Sequence, residues 1–184
     1  WATSLSKVDY ALPMFNQIQT LRQHSLGDFS NMAQSMVEDV ALQFWLDGQV
    51  STVKSPNENL ARELMELFTL GVNRYSEDDV KELSRVLTGY QVKLSAGEIT
   101  FNPRRHDNGV VKLLGSSGVM SPRSAVDLLV QRDDCAEFIA ERLWYRYISS
   151  TEALPSSFAP QTKFASREIH PLISAMADSA ILSD

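Results

Sequence analysis

The sequence predicts a mainly α, multi-helix, bundle-like domain with a small β-hairpin insertion. Three observations predict it. Of the 184 residues, 43% are apolar, which is enough for a core and unlike a disordered chain. Apolar residues recur at helical spacing along most of the chain, and capping residues and glycines separate the repeats. Only near residues 91–114 does the pattern turn to weak alternation. These boundaries place one helical domain at residues 1–150. A short helical tail at 151–184 continues it.

Pro13 suits the opening of a first helix, because its missing N–H costs nothing in the first turn. Met14, Phe15, Ile18 and Leu21 would form the apolar face, with Gly27 as a stop. Asp28 is a cap for a second helix carrying Phe29, Met32, Ala33, Met36 and Val37. A third short helix is expected over Val40–Leu46. Gln49–Pro56 reads as an irregular loop. The next helix is the clearest, with Asn57 as N-cap and Gly71 as the C′ residue. On a wheel of about 100° per residue, Leu60, Ala61, Leu64, Met65, Leu67 and Phe68 share one face. Glu58, Asn59, Arg62, Glu63, Glu66 and Thr69 share the other, and only Leu70 breaks the partition. Ser76 with Asp79 has the spacing of a capping box for a helix through Val80, Leu83 and Leu87. Gln91–Leu94 and Glu98–Asn102 predict the hairpin, His106-Asp107-Asn108-Gly109 a turn, and Val110–Leu114 a further extended piece. Ser121-Pro122 opens another helix. Asp134–Ile148 is a long helix with Ile139, Leu143, Trp144 and Tyr147 on one side. A Ser/Pro linker at 149–160 and shorter helices near 158–164 and 167–177 complete the reading.

Composition excludes several function classes. Seventeen basic residues against 23 acidic ones give a net charge of −6, which fits neither a polybasic nucleic-acid binder nor an anionic-membrane binder. No apolar run approaches the roughly 18 residues of a membrane span. Cys135 is the only cysteine, so there is no intrachain disulfide and no cysteine-based zinc site. It reads as a buried, inert thiol. Gly115-Ser116-Ser117-Gly118 lacks nucleophile-elbow spacing, and no phosphate-loop or dinucleotide fingerprint is present. The start at Trp1, without an initiator Met, reads as a fragment cut from a longer chain.

One constellation invites chemistry. Glu58, Asn59, Arg62, Glu63 and Glu66 lie on one helical face, and Glu58–Arg62, Asn59–Glu63 and Arg62–Glu66 are i,i+4 pairs. As a structural network, Arg62 would bridge Glu58 and Glu66. As a divalent-cation site, Glu63 and Glu66 would converge with His106 and Asp107 from the distant turn. The segment lacks the Glu-x-x-His of a carboxylate-bridged di-iron helix. No metal and no cofactor is assigned.

Pro56-Asn-Glu-Asn-Leu-Ala-Arg-Glu-Leu-Met-Glu-Leu-Phe-Thr-Leu-Gly71 and the stretch from Tyr75 to Tyr90 closely resemble a bacterial family known as domain of unknown function 1800. Leu21–Phe29, Val40–Asp47 and His106–Gly115 resemble further family elements, in the same order. Ser25 replaces a family Ala, and Val40–Asp47 lacks the family's Pro and Tyr. The similarity runs from about Trp1 to Ile148 and continues faintly to the end. It implies a predominantly helical fold and a chain longer at both ends. It also implies export, to the periplasm or beyond, and a protein partner encoded nearby. It implies no reaction. The expectation is therefore a non-enzymatic interaction or scaffold module of an exported bacterial protein. The alternative is a metal-dependent enzyme, a hydrolase with a carboxylate/His site.

Overall fold

The structure, a computed structural model, describes Trp1 and residues 3–155. The predicted tail helices near 158–164 and 167–177 lie outside the described residues. The helices are α1 (Leu5–Val8), α2 (Ala11–His24), α3 (Phe29–Val37), α4 (Val40–Trp45), α5 (Glu58–Glu63), α6 (Glu77–Val86), α7 (Pro122–Val130) and α8 (Asp133–Tyr147). Four strands join them: β1 (Tyr90–Lys93), β2 (Glu98–Phe101), β3 (Val110–Leu113) and β4 (Ser116–Val119). No described helix is long and apolar enough to cross a membrane.

The expectation of a mainly α fold with one hairpin insertion is corrected. The fold is mixed α/β. A helical core carries two separate two-stranded antiparallel sheets, β1–β2 and β3–β4, and the β region extends to Val119 rather than ending near residue 114. The second hairpin closes through Leu114-Gly115, both at positive φ (49° and 83°). Two left-handed residues in a two-residue loop match the twist of the strands. Leu is an uncommon occupant of such a turn, so the Asn-Gly or Asp-Gly signal is missing and β4 is invisible in the sequence.

Caps define most helix starts. Asp28 and Asp39 accept the backbone N–H of Asn31 and Leu42, and Asn57 accepts that of Asn59. Ser76 and Asp79 form the predicted capping box, and Ser121 with Ser124 forms a second one. The acids of α6 also anchor the second hairpin. Asp79 accepts the N–H of Leu114 at 2.7 Å, and Glu82 accepts the N–H of Lys112 at 3.0 Å. These carboxylates satisfy backbone donors on the outer edge of the hairpin. Val111 and Leu113 alternate inward from it and are buried.

The core lies between α3, α4, α5, α6, α7 and β3, with Met36, Leu42, Leu64, Leu83, Leu113 and Leu129 fully buried. Beyond Glu63 the α5 helix widens into a π-helix over Leu64–Thr69. Its signature is the i→i+5 bond from Leu70 N–H to Met65 C=O at 2.8 Å. Residues five apart then share a face, so Thr69 follows Leu64 and Leu70 follows Met65 into the core, all four fully buried. Leu67, which an α-helical wheel buries, is 45% exposed. Gly71 ends the segment at φ +85°, and a Cβ there would lie 2.8 Å from the Phe138 ring of α8.

Two faces differ from the sequence expectation. In α2 the apolar Phe15 and Ile18 are exposed, whereas Pro13 and Gln17 are buried. Gln17 decides this orientation. It accepts from the Thr3 hydroxyl at 2.6 Å and donates to the buried Asp39 carboxylate at 2.7 Å. In α8 Trp144 is buried, with its indole N–H on the Glu152 carbonyl, but Tyr147 is exposed. Cys135 is buried, and burial, with the nearby Asp134 charge, pushes its thiol up to about 12.

Candidate functional site

The polar face of α5 forms a junction between helices. Arg62 donates to Glu58 at 3.2 Å, one helical turn away. Its second partner is Glu77, at the first turn of α6, which it grips with both terminal nitrogens at 2.7 and 2.8 Å. Such a forked pair fixes orientation as well as charge. The Glu77 carboxyl is held below its usual range by that contact, and the Arg62 guanidinium is correspondingly raised. The expected bridge from Arg62 to Glu66 does not form. Glu66 instead accepts the Tyr75 hydroxyl at 2.9 Å. Burial and then this bond push Tyr75 up to about 12.

Glu63 and Asn59 face another way. They line a cavity of about 440 Å³ together with Lys7, Trp45 and Phe68. Burial raises the Glu63 carboxyl, and the charge of Glu66 adds to the effect. The Lys7 ammonium in the same lining bonds the Trp45 carbonyl at 2.7 Å and Asp47 at 2.9 Å.

His106 and Asp107 sit in the turn between the two hairpins and hold the end of α6. Asp107 accepts from Arg85 Nε at 2.8 Å and from the Gly109 N–H at 2.7 Å, which closes an Asx turn. The Arg85 contact holds its carboxyl below the usual range. Its own N–H donates to the Thr88 hydroxyl at 2.8 Å. His106 is buried, and its Nδ1 lies 3.0 Å from the Thr88 carbonyl oxygen. A carbonyl only accepts, so Nδ1 carries the hydrogen.

The structure therefore joins Glu58 with Arg62 and adjoins Glu63 to Glu66. It does not bring His106 and Asp107 to that face. His106 lines a different cavity, of about 380 Å³, with Glu38, Tyr90, Phe101 and Met120. Among the described residues, no three His, Cys, Asp or Glu side chains gather as a metal-holding group. Sequence reasoning missed Glu77, Tyr75 and Arg85 as partners. Their spacings of 15, 9 and 22 residues from Arg62, Glu66 and Asp107 carry no helical periodicity. Only the packing of α5 on α6 and of α6 on the turn creates these pairs.

No curated protein and no solved structure matches the chain. Within the motifs from Pro56 to Tyr90 and at His106-Asp107, the Arg62–Glu77 pair joins α5 to α6, and the Arg85–Asp107 pair joins α6 to the turn. Residues 1–183 match the family described as protein of unknown function, DUF1800, and the chain belongs to that family.

Proposed function

We propose that this domain is a non-enzymatic interaction module of an exported bacterial protein, and that it binds a protein partner encoded nearby. The observation that carries this reading is the orientation of α2. Its Leu12, Phe15 and Ile18 are each about half exposed, while its polar Gln17 is buried and bonded. An amphipathic helix placed this way offers an i, i+3, i+6 apolar strip to a second protein. The paired state of Arg62, Glu58, Glu77, Arg85 and Asp107 supports the same reading, because those charges already have structural partners. The metal-dependent alternative would need Glu63 or Glu66 beside His106, which lines another cavity.

The test is co-expression with the protein encoded beside it and co-purification of the two. The native chain should retain that protein in stoichiometric amount. A Leu12→Ser, Phe15→Ser, Ile18→Ser variant should lose it while keeping its melting temperature. Equal retention by the variant would refute the proposal. So would a rise in melting temperature with added Zn²⁺ or Mn²⁺ that is abolished by Glu63→Gln with Glu66→Gln.

A further inference from the structure

The cavity at His106 has features that no structural role of this histidine requires. Five segments meet there: the end of α3 at Glu38, both strands of the first hairpin, the turn at His106, and the end of β4 leading into α7. Its volume of about 380 Å³ falls within the range of about 300–1,000 Å³ typical of small-molecule pockets. The walls are largely apolar, formed by Phe101, Val119, Met120 and the Tyr90 ring.

The imidazole is fixed from several sides. The carbonyl of the preceding Arg105 accepts the Val53 N–H at 2.8 Å. The N–H of the following Asp107 donates to Thr88, and Thr88 also accepts from Nδ1 through its carbonyl. Phe101 packs against the ring at 5.2 Å between centroids. Gly89 makes this approach possible. At φ +106°, a Cβ there would lie 3.0 Å from the Phe101 ring and 3.1 Å from His106 Cβ. His106 is only 8% exposed, and every hydrogen bond it makes through the ring uses Nδ1. Nε2 therefore has no partner among the described residues. In the uncharged ring it is a hydrogen-bond acceptor whose direction is set by the Nδ1 contact. A second acceptor lines the same cavity, the Glu38 carboxylate, 3.4 Å from the Tyr90 hydroxyl.

Asn108 and Arg123 also line the cleft and can donate, so an apolar wall with both acceptors and donors calls for a ligand with an apolar body and a hydroxyl, which donates and accepts. We propose that the cleft binds a small phenol, its ring against Phe101 and Met120 and its hydroxyl donating to His106 Nε2. Aromatic rings favour the edge-to-face and offset contacts that Tyr90 and Phe101 already make with each other at 5.4 Å. This assignment does not rest on the protein-partner reading, which concerns α2.

The test uses the full chain with ¹⁵N-labelled histidine, titrated with p-cresol at about pH 8, below the pKa of about 10 of a phenol, and followed by NMR. Nε2 of His106 should shift saturably, with the other two imidazoles unmoved. Toluene, which has the same shape without the hydroxyl, should bind about two- to tenfold more weakly, as the loss of one such hydrogen bond implies. Phe101→Ala, which removes the half-exposed ring that packs on His106, should weaken both ligands. Equal affinity for toluene and p-cresol would overturn the proposal. So would saturation that leaves Nε2 unmoved, an absence of saturation, or an unchanged response in Phe101→Ala.

Discussion

The π-helical segment makes a prediction that an α-helical reading reverses. Leu67 and Leu70 are three residues apart, and an α-helix continued from α5 buries the first and leaves the second off the apolar face. In the structure Leu70 is fully buried and Leu67 is 45% exposed. Truncating Leu70 to Ala removes about three buried carbon groups, worth about 0.8 kcal/mol each in transfer. The cavity left between the core helices adds to that loss. Leu70→Ala should therefore cost about 2–5 kcal/mol. Leu67→Ala loses about half of the transfer term, on the order of 1 kcal/mol, and leaves no enclosed cavity. Urea melts of both variants, fitted with a common m-value, measure the difference. At about 2–4 °C per kcal/mol for a chain of this size, thermal melts should separate the two clearly. Equal losses, or a larger loss for Leu67→Ala, would mean that the helix keeps its α phase through Thr69 and that the i→i+5 pattern is wrong.

Two further predictions follow from the caps and the turn. Ser76→Ala removes the acceptor for the Asp79 N–H and a 2.6 Å bond to its carboxylate. It should lower stability by about 0.5–2 kcal/mol in a urea melt, and an unchanged midpoint would exclude the capping box as a stabilising element. Asp107 has a folded pKa below its ordinary 3.8, chiefly because of Arg85. The unfolded chain then binds more protons as pH falls through this window. The contribution of Asp107 is complete above its unfolded pKa and is lost as pH falls through the lower folded value. Stability measured from pH 6 down to 2 should decline less steeply in Asp107→Asn than in the native chain, and parallel curves would refute the linkage.

Local signals in the sequence determined the places where the helices begin. Asp28, Asn57, Ser76 and Ser121 cap the helices that follow them, because a side-chain oxygen two or three residues from a free N–H needs no help from the rest of the fold. The apolar positions from Leu60 to Met65 were legible for the same reason, since regular α spacing holds that far. The burial of Cys135 was equally plain.

The tertiary structure decided what periodicity alone cannot express. The π turn shifts the phase after Leu64, so Thr69 is buried, donating its hydroxyl to the Leu64 carbonyl at 2.7 Å. Gln17 turns α2 over because burying a polar group is tolerable once Thr3 and Asp39 bond it, and this exposes Phe15 and Ile18. The second hairpin exists because α6 supplies Asp79 and Glu82 as acceptors for its backbone. The candidate site follows the same division. Glu58 and Arg62 could be paired by spacing, but Glu77 and Tyr75 come from neighbouring segments. His106 meets Thr88 and Phe101 instead of the α5 carboxylates, because the chain between residues 88 and 106 folds back as a hairpin on its own base.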